Sequence, residues 1–295
     1  MDVKAILMGL AFAVMWASAF TTTRMIVVAA PPLTALVIRF AISALLGIML
    51  ARAMGQSWRL SRAEWRVLIL FGIMQNALYL GLNWIAMQWV EAAAASIIAS
   101  MMPLLVAFFG WLWLGERLRM PAVIGLAMGV AGVVLIMGVR LQHGLSLFGA
   151  LLCLIAVVAL TVATLVVRGS GGSRNMMMIV ALQMAVGAVV LALPAALLEW
   201  GRPIDWSWQL VVAFLYTILA PGLAATFIWF QLVNRIGAVR AATFHFLSPI
   251  FGVAIAALLL GERFGASDVI GAIIIAVGIL LVQTAKLPPA AATPR

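Results

Sequence analysis

The sequence predicts an all-α membrane protein of ten transmembrane helices, arranged as two inverted five-helix repeats around a central cavity. Three observations carry this. Of 295 residues, 66% are hydrophobic and only 9% charged, with a mean hydropathy of +1.23. That is more apolar surface than a soluble chain of this length can hide. The apolar residues fall in runs of about 20, the length a helix needs to cross a bilayer. Finally, the stretch "PLLVAFFGWLWLGER" from Pro103 to Arg117 returns as "PIFGVAIAALLLGER" from Pro249 to Arg263, 146 residues later.

Charges, Pro and Gly divide the chain into spans near 4–24, 33–53, 64–88, 91–114 and 120–138, then 147–168, 175–198, 207–232, 238–260 and 266–284. The first runs past Ala17-Ser18-Ala19 through Trp16 and Phe20 to Arg24, which reads as a retained span and not a cleaved signal peptide. The second holds Arg39, the one formal charge well inside a span. Arg39 is read as structural, either snorkelling to the outer interface or fixing a helix junction through backbone carbonyls.

The third span, "FGIMQNALYLGLNWIAMQWV", carries Gln75, Tyr79 and Asn83 at spacings of four, with Asn76 adjoining. Such residues share one helical face, and polar side chains in lipid turn to the bundle interior. They line a cavity or bond neighbouring helices together. In the fourth and ninth spans, Pro103 and Pro249 each lie eleven residues in, roughly 16 Å deep at about 1.5 Å per residue. Each proline frees the carbonyl four residues earlier, those of Ala99 and His245, and such a carbonyl must face protein or water. Both breaks are therefore expected to face the cavity.

The fifth and tenth spans are Gly-rich (Gly125, Gly129, Gly132; Gly271, Gly278), and the sixth holds the lone Cys153, so no intrachain disulfide forms. The "GER" blocks with Glu116-Arg117 and Glu262-Arg263 fall between spans, where a carboxylate caps a helix or pairs locally. Trp58, Trp65, Trp89, Trp200, Trp206 and Trp208 sit near span ends as interfacial anchors. Residues 286–295 read as a short disordered tail.

The net charge of +10 is dispersed between the spans, which argues for topology and against nucleic acid. With the N-terminus inside, thirteen Lys and Arg lie on the cytoplasmic side and four outside (Arg24, Arg140, Arg202, Arg263), so both termini are expected in the cytoplasm.

Aligning 92–136 with 238–282 without gaps gives 13 identities in 45 positions. The chain thus reads as a duplication, 1–146 and 147–285. Five spans per half is odd, so the second half must enter the membrane upside down. Inverted repeats are common in transporters, where they support inward-open and outward-open states.

Ten spans in two halves, a Pro followed by "LGER" in the fourth span of each, Arg39-Phe40 in the second and a Gly-rich fifth resemble the EamA domains of the drug/metabolite transporter superfamily. The resemblance covers essentially the whole chain, and within the superfamily the chain is most similar to bacterial YddG-type exporters of aromatic and other amino acids. It implies an inner-membrane exporter working by alternating access.

The residues agree with that implication. No Asp or Glu falls in the core of a span, so a dedicated cation exporter lacks its carboxylate, and a di-anion carrier would want more than Arg39. A zwitterion needs polar groups for its head and aromatic surface for its side chain. The candidate substrate-binding residues are Trp16, Gln75, Asn76, Tyr79 and Asn83 from the first half, with Ser100 at the break. From the second half come Phe244, His245 and Ser248. No metal ligand set and no cofactor are expected; the partners are amino acids and the lipid bilayer. Export of another neutral metabolite or drug, such as a nucleoside or sugar, is the alternative. A membrane enzyme would need a catalytic constellation, and neither HExxH nor GxSxG occurs.

Overall fold

A computed structural model describes residues 3–115, 118–142, 144–167, 175–236, 241, 243–263 and 265–285. Glu116, Arg117, Arg168, Arg174, Arg240 and the tail 286–295, all used in the sequence reading, lie outside the described residues. Among the described residues every regular element is a helix and none is a strand.

The first half contains α1 (Val3–Val27), α2 (Pro32–Ala53) and α3 (Arg62–Phe71), which continues through a π-helical stretch (Gly72–Leu80) into α4 (Gly81–Ala86). It ends with α5 (Ala92–Ala99), α6 (Met102–Leu114) and α7 (Met120–Gln142). The second half contains α8 (Leu147–Val167), α9 (Met176–Glu199) and α10 (Trp208–Thr217), which passes through a second π-helical stretch (Ile218–Ala224) into α11 (Ala225–Ile236). A 3-10 turn (Thr243–Leu247), α12 (Ser248–Leu260) and α13 (Ala266–Thr284) complete it.

Nine continuous helical segments are long and apolar enough to cross a membrane among the described residues, and the chain is a multi-pass membrane protein. The sequence suggests a tenth at 238–260; here the apolar helical segment is shorter, Phe244–Leu260, because part of the expected span lies outside the described residues.

The elements recur at the 146-residue offset well beyond the aligned segment. Ser61 and Ser207 are both N-caps, accepting from Glu64 N and Leu210 N. Helices α3 and α10 start and end 146 residues apart, as do α6 and α12, and the π-helical stretches begin at 72 and 218. The glycines that end α6 and α12, Gly115 and Gly261, have φ of 66° and 65°, a left-handed conformation that a side chain would strain.

Pro103 and Pro249 prove to be helix starts. Each occupies the first turn of its helix, α6 or α12, where the missing N–H is one the helix leaves unpaired anyway. The span is broken before the proline, at Ser100–Met101 in one half and through the 3-10 turn in the other. A break was expected at each proline; it lies just before it, and the proline opens the helix that follows.

Two long contacts tie the halves together. Helices α7 and α13 pack antiparallel through glycines: a Cβ on Gly278 would lie 2.6 Å from Gly125 O, and one on Gly271 would lie 3.0 Å from Gly132 O. Helices α2 and α9 also run antiparallel, with Glu199 accepting from Leu33 N (2.9 Å) and Thr34 N (2.7 Å) at one end and Gly47 against Ala181 at the other. At the end of the molecule holding Glu91, Glu262 accepts from Ala92 N (2.7 Å) and Ala93 N (2.9 Å). It therefore caps α5 across the halves, not the helix that follows it. Beside it, the Arg140 guanidinium bridges Asp268 (2.8 Å) and Glu91.

Candidate functional site

The two π-helical stretches shape the site. A π turn bonds i to i+5, which widens the helix and re-aims its side chains; such turns recur at functional sites. Between them lies a partly open cavity of about 80 Å³. The first π-helical stretch and α4 contribute Gln75, Asn76, Tyr79, Asn83 and Trp84 to its wall. Helix α1 adds Trp16, Phe20 and Thr23, and α2 adds Arg39 and Phe40. The second half adds Gln183 of α9, Pro221 and Gly222 of the second π-helical stretch, and Thr226 of α11.

The polar groups are held in place locally. Asn76 Nδ2 donates to Gln183 O at 2.8 Å, so its carbonyl oxygen is oriented by a bond across the halves. The close approach that permits this is made at Gly187, where a Cβ would sit 2.6 Å from Asn76 Cβ. Thr226 Oγ1 donates to Gly222 O at 2.8 Å, a bond back along its own helix that commits the hydroxyl proton. Asn83 Nδ2 makes only a weak contact to Cys153 Sγ, at 3.9 Å.

Five of the sequence-predicted site residues, Trp16, Gln75, Asn76, Tyr79 and Asn83, therefore share one cavity. The other four are placed elsewhere. The His245 ring packs on Phe12, Trp16 and Trp229, with centroids 5.2, 5.8 and 5.3 Å away, so it stands behind Trp16. Phe244 packs against Gly9 in a buried cluster with Ala5 and Leu232. Ser100 Oγ donates to Ile97 O at 2.6 Å, and the Ser248 carbonyl accepts from Ser96 Oγ. The sequence argument required each break to face protein or water, and here aromatic side chains fill the second break.

Sequence reasoning passed over Gln183 and Gly222 and read Arg39 as structural, yet all three line the cavity. A charge mid-span, a lone amide in the apolar run of α9 and the Pro221-Gly222 pair were the available signals. A wider mouth of about 510 Å³ opens at the Glu91 end, between Arg24, Glu91, Gln209, Leu260 and Glu262. Thr23 lines the inner cavity and its neighbour Arg24 lines the mouth. Among the described residues no three His, Cys, Asp or Glu side chains gather as metal ligands.

Known proteins are similar to this chain in sequence and in fold. The uncharacterized transporter YvbV of Bacillus subtilis is 29% identical over 271 residues, covering 92% of this chain and 88% of its own. The aromatic amino acid exporter YddG of Ancylobacter novellus is 33% identical over 112 residues, which are 38% of this chain and 39% of that one. A solved crystal structure superposes with a TM-score of 0.69 over 96% of this chain and 98% of its own, at 21% identity, a likeness of fold. The EamA-like transporter family matches the sequence twice, over residues 3–138 and 147–284. With both matches together spanning nearly its whole length, the chain belongs to the EamA-like transporter family.

Proposed function

We propose that the protein is an inner-membrane carrier that exports small zwitterionic metabolites, aromatic and other amino acids foremost, by alternating access between two inverted five-helix repeats (1–146 and 147–285). The observation that carries this is the crosswise glycine seam of α7 and α13. Gly125 and Gly271 are repeat equivalents, as are Gly132 and Gly278; Gly125 meets Gly278 while Gly132 meets Gly271. When one residue meets the equivalent of a second while the second meets the equivalent of the first, the contact has the pattern of a two-fold interface. Because the paired helices run antiparallel, that axis lies in the membrane plane, the symmetry of inverted-repeat transporters. Phe244–Leu260 with the 3-10 turn supplies the tenth span, and the thirteen-to-four distribution of Lys and Arg favours cytoplasmic termini.

The cavity chemistry supports a zwitterion. Its wall offers neutral amides, a phenol, one guanidinium and aromatic faces, and among the described residues every Asp and Glu sits at a helix end or in a loop. At about 80 Å³ the cavity has room for a few waters, so this conformer is contracted and an aromatic amino acid enters only after the halves part. Counterflow of labelled amino acids into liposomes containing only the purified protein tests the reading. Exchange of amino acids is the expected result. Exchange confined to nucleosides or sugars would move the assignment to another neutral metabolite, and absence of any exchange would overturn it.

A further inference from the structure

Arg39 lies 7% exposed in α2, one turn before Ser43. Its guanidinium carbon stands 5.5 Å from the Phe40 ring centroid and 5.7 Å from that of Trp84. Its Nε is buried without a hydrogen-bond partner, and so is Ser43 Oγ. Both ion pairs among the described residues belong to Arg140, so no described carboxylate neutralises Arg39. The two side chains converge on Gly222: a Cβ there would sit 3.8 Å from Arg39 Nη2 and 3.8 Å from Ser43 Oγ. Arg39 and Gly222 line the cavity and Ser43 packs beside them. The place of the absent side chain is bounded on its other side by the Thr217 carbonyl at 3.0 Å, so the uncompensated cation and the orphaned hydroxyl flank a narrow notch.

A buried charge with only ring faces beside it is costly unless something pairs with it, and the ring quadrupoles offset part of that cost. The guanidinium fork matches a carboxylate with two parallel hydrogen bonds. We infer that Arg39, with Ser43 and the space at Gly222, is the subsite that binds the carboxylate of the transported solute. This rests on the cavity being the transport site and narrows its substrate class to compounds bearing one carboxylate. The carboxyl end docks between α2 and the second π-helical stretch, and an α-ammonium then faces the neutral oxygens of Asn76 and Asn83. Sugars, nucleosides and simple amines lack the group that Arg39 needs.

The test is counterflow in liposomes with labelled phenylalanine, phenylalaninamide and phenethylamine as separate probes. Wild-type protein should exchange phenylalanine with a KM about tenfold or more below that for the amide. Arg39→Gln should remove that preference, Arg39→Lys should restore part of it, and Ser43→Ala should raise the phenylalanine KM several-fold with little change for the amide. Equal handling of phenylalanine and its amide by the wild type would overturn the subsite while leaving the carrier reading intact. Exchange of none of the three probes or of any other amino acid would instead sink the amino acid reading. Should Arg39→Gln fail to insert, the wild-type probe preference and Ser43→Ala still decide the matter.

Discussion

The ion cluster at the Glu91 end permits a quantitative test of how the halves are held together. Arg140 and Asp268 are 9% and 7% exposed and 2.8 Å apart, joining α7 of one half to the first turn of α13 of the other. Replacing Arg140 by Met leaves Asp268 buried with only the Gly265 N–H as a donor (2.9 Å). Removing one partner of a buried pair costs about 3–5 kcal/mol. Asp268→Asn keeps the shape and an acceptor for Gly265, and Arg140 retains the half-exposed Glu91, so its cost should be smaller, about 1.5–3 kcal/mol. The double variant has neither an orphaned carboxylate nor an unmatched guanidinium, so its loss should fall short of the sum by about 2 kcal/mol. Thermal unfolding of the four purified proteins in one detergent, run as a double-mutant cycle, gives the coupling. Losses that add to within about 0.5 kcal/mol would refute the reasoning, because they would mean the pair is solvated in the membrane-embedded protein.

Three further outcomes are expected. Gly278→Ala, whose new methyl would meet Gly125 O at 2.6 Å, should destabilise the α7–α13 seam by about 1–3 kcal/mol, read as a lower melting temperature and yield, whereas alanine at the open Gly138 position should not. Asn76→Ala and Tyr79→Phe should slow amino acid exchange several-fold, since each loses a hydrogen-bonding group worth about 0.5–1.5 kcal/mol at the cavity wall, whereas His245→Ala, behind Trp16, should act through fold stability instead; wild-type kinetics in both cavity variants would remove the stripe from the site. In a Cys153→Ala background, cysteines at the equivalent exposed N-caps Ser61 and Ser207 should react with an impermeant reagent in intact cells only at 207, and equal labelling from outside would exclude inverted halves.

The duplication was legible because it rests on residues without substitutes: proline at a helix start and glycine in a left-handed cap recur at fixed spacing, as Pro103/Pro249 and Gly115/Gly261 do. The polar stripe of the third span was legible for a related reason, since amides in an apolar run must turn inward. The π-helical stretches were not. Gly72–Leu80 contains no proline and its apolar pattern also suits an α-helix; the wider turn depends on what packs against it. Arg39 was misjudged because snorkelling is a sound reading of a charge six residues into a span. Only the three-dimensional path of α2 beside Trp84 and Gly222 shows that the guanidinium lines the cavity. His245 and Phe244 were assigned to the cavity from their place at the break before Pro249, and a break does not say on which side of it the empty space lies.

The ion cluster also breaks the symmetry of the duplication. At the repeat equivalents of Glu91, Arg140 and Asp268 the sequence carries Gly237, Lys286 and Ala122, so no second set of the same three charges is encoded for the opposite face. Two identical halves would make the two end states mirror images of equal free energy. A single bolt on one face lowers one of them, and each 1.4 kcal/mol of that difference lengthens its relative dwell time tenfold. Such a bias cannot by itself produce net accumulation, because the empty and loaded cycles must both close. In the proposed alternating-access cycle, what the asymmetry sets is the resting posture: which compartment the idle cavity samples first, and therefore on which side a solute at low concentration is captured.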